Sequence, residues 1–251
     1  MRAVILAAGI GKRLEAMTDA RPPKCLLRFG GKSLLERQLG SLRRHGVTDV
    51  VVVTGYAAEL VEAEIEALRL DPRPLTVKNP DFERGSVVSL WCAREHLARG
   101  GEIVLMDADV LFDDRVLSRL LRAPRSDLIL LDRDFEAGEE PVKLCIKKGV
   151  AVEFRKRVPE DLEFDDAGES VGFFRFSGAT ARRLSKRTAE YVDGGRRDEP
   201  HEEAIRDLVL ETPERFSFED VSGLPWIEID FPEDVRRAER DILPRLTGVP
   251  A

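Results

Sequence analysis

Short apolar runs alternate along the chain with stretches in which apolar residues recur every third or fourth position, the pattern of strands interleaved with amphipathic helices. The strands this predicts are Ala3–Ala8, Val50–Thr54, Leu75–Lys78, Ile103–Asp107, Leu128–Asp132, Val142–Lys147, Val152–Phe154, Val171–Phe176 and Trp226–Ile229. Helices are predicted over Ala57–Leu70, Val87–Ala98, Asp114–Leu121, Ala179–Val192, Glu202–Glu211 and Pro232–Leu243. Another opens at Ser33-Leu34-Leu35-Glu36, which reads as a capping box, presents Leu35, Leu39 and Leu42 on one face and stops at Gly46. Pro232 suits a first helical turn, where its missing N–H is not needed. The alternation predicts an α/β fold, a mixed and mostly parallel sheet flanked by helices. No repeat, low-complexity tract or long linker divides residues 1–251, so a single domain is expected, with Pro159–Gly168 an acidic surface loop.

The interval from Gly9 to Lys32 breaks this alternation, because it carries no strong period. Loops this long inside a compact domain are uncommon and often functional. In an open α/β sheet this one leaves the carboxyl end of its strand, where ligands bind.

Charge then narrows the ligand. Lys plus Arg is 40 against 47 for Asp plus Glu, a formal net charge of -7, which argues against a nucleic-acid partner because backbone affinity needs a basic face. An acidic chain binds phosphates only through local devices: backbone N–H groups, a few placed cations or a metal ion. Cys25, Cys92 and Cys145 form no C-x-x-C pair, so neither a disulfide framework nor a thiolate zinc site is indicated. His201-Glu202-Glu203-Ala204-Ile205 begins like a zinc-protease motif but lacks its second histidine. The apolar stretch Ala3–Ile10 is too short to span a bilayer, and the expectation is a cytoplasmic protein without a membrane span.

Leu6-Ala7-Ala8-Gly9-Ile10-Gly11-Lys12-Arg13-Leu14 follows the first strand directly. Two glycines let the backbone turn sharply and aim successive N–H groups at phosphate oxygens, while Lys12, Arg13 and the Lys24 of Pro22-Pro23-Lys24 add cations. A P-loop would need glycine at Leu6, and a dinucleotide fingerprint would need it at Leu14. Read on their own, the glycines also fit a plain strand-to-loop turn. The ordered set Leu6-Ala7-Ala8-Gly9-x-Gly11-x-Arg13-Leu14 with Pro23-Lys24 resembles the signature of the nucleoside-triphosphate transferases. Within them the chain looks most like the bacterial phosphocholine cytidylyltransferase-like and sugar-phosphate nucleotidyltransferases. The resemblance implies a Rossmann-like, GT-A-like fold, with a nucleotide-binding half at about residues 1–112 and an acceptor-binding half at about 113–251.

Ile103-Val104-Leu105-Met106-Asp107-Ala108-Asp109 is an apolar strand ending in two carboxylates at i, i+2, a spacing that puts both on one side of an extended chain. Mg²⁺ takes hard oxygen ligands, commonly one or two carboxylates plus substrate phosphates. Glu228 and Asp230 repeat the spacing before Pro232, although Asp230 would also serve near a helix N-cap. The resemblance implies that Asp107 and Asp109, with Asp109 closer, and Glu228 and Asp230 hold Mg²⁺ from two sides. It makes Lys143 a contact for the acceptor phosphate and Glu169 and Gly172 part of the acceptor-lining strand. It likewise makes Gly85, Ser86 and Ser89 candidates for contacting the base. Ser86 as a helix N-cap and Lys143 as a solvated strand lysine remain open on the residues alone. Glu199 and Glu202 would meet an ammonium or hydroxyl group of the acceptor, or else form an exposed helix start.

The implied reaction joins a nucleoside triphosphate, CTP by resemblance, to a phosphorylated small alcohol, an aminoalkylphosphonate or a sugar phosphate. Arg13 and Lys24 would stabilise charge, and pyrophosphate would leave. With two Trp, two Tyr and 6% aromatics, no aromatic cage for a quaternary ammonium is evident. A glycosyltransferase using D-x-D to hold a nucleotide-sugar and a non-catalytic nucleotide-binding subunit are the competing readings. Homodimer assembly is left open.

Overall fold

The computed structural model describes residues 1–14, 22–135 and 141–247. Residues 15–21 of the Gly9–Lys32 interval, Glu140 of the segment leading to Lys143, and the tail from 248 lie outside the described residues.

The core is parallel. Strands β1 (Arg2–Ala7), β4 (Val50–Thr54), β5 (Leu75–Lys78) and β6 (Ile103–Asp107) run side by side in the order β6-β1-β4-β5. Alternate side chains of the three inner strands go to opposite faces, and both faces are dry. Ala3, Ile5, Val50, Val52, Val104 and Met106 pack with one apolar cluster, while Val4, Val51, Val53 and Leu105 pack with another. The first cluster is closed by α1 (Leu34–Arg44), α2 (Ala58–Ala67) and α5 (Asp114–Arg122). The second is closed by α3 (Ser86–Cys92), α4 (Arg94–Ala98), α6 (Gly178–Asp193) and α7 (His201–Glu211). Burial on two sides is why these strands read as unbroken apolar runs.

The rest of the sheet is mostly antiparallel. β11 (Asp166–Phe176) pairs with β6, with β8 (Leu128–Asp132) and with β9 (Lys143–Lys147), which carries β10 (Val150–Arg155) on its other edge. Its register with β8 shifts between Ser170 and Phe174, and Gly172 sits inside that shift at φ +76°. β12 (Ser217–Asp220) adds parallel to β8. Two short pairs stand apart: β2 (Arg28–Phe29) with β3 (Lys32–Ser33), and β7 (Val110–Phe112) with β13 (Trp226–Glu228). A third apolar cluster of Phe29, Leu34, Leu111, Ile229 and Leu246 joins these two pairs. No helix among the described residues is long and apolar enough to cross a membrane.

The expected elements are present, with instructive differences. The Val87–Ala98 helix breaks at Ala93, whose ψ of 1° ends α3 before α4 begins. Ala57 takes a left-handed conformation ahead of α2, so that helix starts one residue later than expected. The Pro232–Leu243 helix is regular only over α8 (Pro232–Arg237) and then passes into a π turn. Part of the expected Pro159–Gly168 loop is strand, because Asp166, Ala167 and Gly168 pair with β9. The capping box is half formed. Ser33 Oγ accepts from the Glu36 N–H at 3.0 Å, but the Glu36 carboxylate turns to Lys32 at 3.7 Å.

Candidate active site

The three parallel strands β1, β4 and β6 deliver their carboxyl ends to one edge of the sheet, and the candidate residues gather there. Leu6 and Ala7 end β1 and Ala8 follows it, with Leu6 in register with Asp107 on β6. Gly9 and Lys12 are exposed beyond them. Gly11 has φ +69°, and a Cβ there would lie 2.9 Å from Lys24 Cγ. A glycine is therefore needed twice over, for the turn and for the lysine stem that crosses it.

Lys24 is the hub. Its ammonium donates to Asp109 Oδ2 at 3.0 Å and to Asp230 Oδ1. Arg13 Nη1 reaches the other oxygen of Asp230 at 3.3 Å, and its guanidinium lies 5.0 Å over the Phe231 ring. Burial works against the charge on Lys24, but Asp109 and Asp230 outweigh it and hold its pKa above the usual lysine value.

Asp109, Glu228 and Asp230 form a cluster in which one carboxylate oxygen from each lies within 4.8 Å of the others. Glu228 is held well above the usual glutamate pKa by burial and then by Asp109, Asp230 and Asp107. β13 places Glu228 against β7 (Glu228 opposite Val110), and the Ile229 N–H donates to Asp109 O at 3.0 Å, which locks the two acidic segments together. Asp234 accepts from the backbone N–H of Asp230 and Phe231 at 3.0 and 2.7 Å. Asp234 thus does the capping at the start of α8, and the Asp230 carboxylate is free of that duty. Three hard-oxygen donors this close could hold a small divalent ion such as Mg²⁺.

Asp107 stands apart from that cluster. Extended alternation stops where β6 ends, and Ala108-Asp109 form a turn, so the i, i+2 spacing of the strand does not carry through to Asp109. Asp107 faces His201, with Oδ1 3.7 Å from Nε2. Burial pushes Asp107 up to about 7 against the pull of His201. Gly172 backs it: a Cβ there would fall 2.5 Å from Asp107 Oδ2. The glycine makes room for a carboxylate of the protein itself.

The base-contact candidates are drawn into packing. A Cβ on Gly85 would meet Glu199 O at 2.2 Å, and Ser89 is 6% exposed with its hydroxyl accepting from Asn79 Nδ2 at 3.0 Å. Ser86 does not cap its own helix, since its Oγ accepts from the His201 N–H at 2.9 Å and so serves the start of α7. Glu199 pairs with Arg196 at 3.5 Å at the surface, while Glu202 turns inward to His201 Nδ1 at 3.0 Å. Burial opposes both charges of that pair, yet each holds the other ionised: His201 is raised to about 9 and Glu202 lowered to about 2.

Lys143 donates to Pro141 O at 3.2 Å and Lys156 O at 2.8 Å, so it braces the run Arg155-Lys156-Arg157 at the end of β10. That run lines a cavity of about 460 Å³ with Arg13, Val142, Glu202 and Glu203. These cations are what sequence reasoning missed. The signal was three consecutive basic residues at a strand end, in a chain whose charges are otherwise mixed. A second cavity of about 660 Å³ takes in Glu228, Asp230, Glu169, Asp132, Trp226 and Phe231. Glu169 lies opposite Asp132 across β11 and β8, and Trp226 Nε1 donates to Asp132 at 2.7 Å. The carboxylate cluster thus sits on the wall of one cavity, with the basic cavity reached through Arg13.

The same arrangement of chain is found elsewhere. The inositol-1-phosphate CTP transferase of T. maritima superposes with a TM-score of 0.78 at 21% identity, covering 100% of this chain and 98% of that one. Among curated proteins, the bifunctional IPC transferase and DIPP synthase of Rubrobacter xylanophilus is 30% identical over 244 residues, 96% of this chain and 52% of its own length. The CMP-5'-(3-aminopropyl)phosphonate synthase of Streptomyces rubellomurinus is 28% identical over 95% of this chain and 38% of its own length. The chain thus spans about half or less of these curated relatives. The model of the MobA-like NTP transferase domain matches residues 3–164, which include the glycine loop, Lys24, Asp109 and the basic run. By that match this chain belongs to the MobA-like NTP transferase domain family.

Proposed function

We propose that the chain is a cytidylyltransferase that joins CTP to a small phosphorylated alcohol, an aminoalkylphosphonate or a sugar phosphate and releases pyrophosphate, with Mg²⁺ as cofactor. The observation that carries the reading is the Asp109–Glu228–Asp230 cluster set against Lys24 and Arg13 beside the exposed glycine loop. CTP is preferred because the T. maritima structure and the Streptomyces relative are named for cytidylyl chemistry. Residues 1–251 work in this proposal as one transferase domain whose two halves both contribute to the cluster.

The backbone N–H groups of Gly9–Arg13 hold the triphosphate, as a glycine turn at a strand end does. Lys24 and Arg13 place positive charge where it develops on the α- and β-phosphates. Asp109, Glu228 and Asp230 would hold Mg²⁺, which supplies Lewis-acid stabilisation of the phosphoryl oxygens when bound. Arg155, Lys156 and Arg157 orient the acceptor anion from the basic cavity, with Lys143 as their brace. A phosphomonoester has a second pKa of about 6, so at neutral pH its oxygen is already a nucleophile. That oxygen forms a bond to the α-phosphorus as the bond from the α-phosphorus to the bridging oxygen breaks. The electron pair leaves with pyrophosphate, and no general base is required.

Four nucleotides assayed against a dozen phosphorylated alcohols and phosphonates, read by pyrophosphate release, test the proposal. Turnover is expected with CTP and one acceptor class, and Asp109→Ala is expected to abolish it. Near-normal release by that variant removes the metal assignment. Release of a nucleoside diphosphate without pyrophosphate replaces the reaction class altogether.

A further inference from the structure

His201 has no part in the reaction just described, yet it sits where three site-bearing elements meet. Its side chain is 3% exposed. On one side the ring is anchored: Nδ1 lies 3.0 Å from Ser86 Oγ at the start of α3 and 3.0 Å from Glu202 Oε2 on α7. On the other side Nε2 has no hydrogen-bond partner among the described residues, and it faces Asp107 Oδ1 at the end of β6 from 3.7 Å. Phe174 meets the ring edge-on at a centroid distance of 6.3 Å and walls it in. A buried ring nitrogen left without a partner costs about 1–3 kcal/mol, so a fold that keeps one has an unmet hydrogen bond to complete. The acceptor it faces is Asp107, which Gly172 confines from behind.

We propose that His201 is a positioning residue of the transfer centre. Anchored through Nδ1 on Ser86 and Glu202, it offers Nε2 to Asp107 and fixes that carboxylate two residues before Asp109. The inference rests on the nucleotidyl-transfer reading and adds to it a tie between the halves of the chain. α3 packs against β1, which leads into the glycine loop, α7 walls the basic cavity, and His201 joins both to the D-x-D turn. The ring is too buried to touch substrate, so its effect passes through Asp107.

The test compares D107N, H201N, H201Q and the D107N/H201N double variant by pyrophosphate release, with nucleotide affinity from calorimetry and melting temperature alongside. The Asn amide of H201N can replace Nδ1 toward Ser86 but does not reach Asp107, whereas Gln extends an amide to the Nε2 position. We expect kcat about 10-fold lower in H201N, KM for both substrates within about 2-fold, and partial recovery in H201Q. The double variant should be no slower than D107N alone, because a residue acting through Asp107 then has nothing left to act on. Multiplicative losses in the double variant overturn the inference, as do equal losses in H201N and H201Q or a loss of kcat that follows melting temperature across the set. A wild-type chain that releases no pyrophosphate fails the transfer reading itself. An active wild type with multiplicative variants fails only the assignment of His201.

Discussion

Lys24 and the residues around it show how one side chain can serve a site before any ligand arrives. Its ammonium stands among the carboxylates that the proposed dication would need, and it holds their mutual repulsion in check. At Glu169 the balance goes the other way, because Lys143, Lys156 and Arg237 do not outweigh burial. Burial and then Asp132, directly opposite, push it up to about 7. The sign follows from the direction: a carboxyl raised above its unfolded value favours the fold while it is protonated, and that contribution is lost as pH rises through about 7. Glu169→Gln is therefore expected to melt higher than the wild type above pH 7, by about 2–4 °C. That rise corresponds to ~1 kcal/mol in a chain of this size once the solvent access of the cavity is allowed for. The difference should have nearly closed by about pH 4.5, where the native glutamate is neutral and the unfolded one is only half ionised. Thermal melts of both proteins at pH 8 and pH 4.5 decide it, and an equal gap at the two pH values contradicts the cause.

At the scale of elements, β11 is the strand on which the site depends most. Gly172 in its register shift takes a left-handed φ and leaves its Cβ position to the Asp107 carboxylate. Gly172→Ala should cost about 2 kcal/mol from backbone strain and crowding, a fall of about 4–8 °C in melting temperature. Turnover should drop at least about 10-fold as Asp107 is displaced; melting and pyrophosphate release measured on one preparation check both. This was not legible in the sequence. Gly172 could be read as an opening for substrate because a glycine in a strand has that meaning as readily as a close internal approach. The parallel strands, by contrast, were plain, since burial on two faces leaves no polar position to confuse the period. The glycine loop, Lys24, Asp109 and the Glu228–Asp230 pair were legible because their chemistry is local in the chain. Arg155, Lys156 and Arg157 were not, because only the packing of β9, β10 and α7 shows that they share a cavity with Arg13. Gly85 and Ser86 carried a base-contact signature whose packing against residues 199 and 201 depends on a segment more than a hundred positions away.

For the molecule as a whole, a formal charge of -7 is compatible with a polyanionic ligand only if charge is sorted locally. Cations line the glycine loop and the basic cavity, while carboxylates gather at the cluster. Under the proposed function a chelator should abolish turnover and weaken triphosphate binding, and added Mg²⁺ should restore both. Calorimetric titration of CTP with and without chelator measures this, and full affinity in chelator would show that the cluster recruits no ion. A net negative charge also predicts that added salt, by screening long-range repulsion of an anionic ligand, does not slow the encounter of nucleotide or acceptor with the chain.

The ion pair between Lys24 and Asp230 joins positions 206 residues apart, while Lys24 and Asp109 are separated by only 85. A chain leaving the ribosome amino end first can therefore lay down β1, β4 and β6 and pair Lys24 with Asp109 long before Asp230 is made. Until Trp226–Glu228 arrives to zip onto Val110–Phe112, one wall of the carboxylate cluster is missing. Under the proposed function, competence thus waits on this one pairing, so a chain stalled before Trp226 would carry the glycine loop but not the cluster that the proposed chemistry needs.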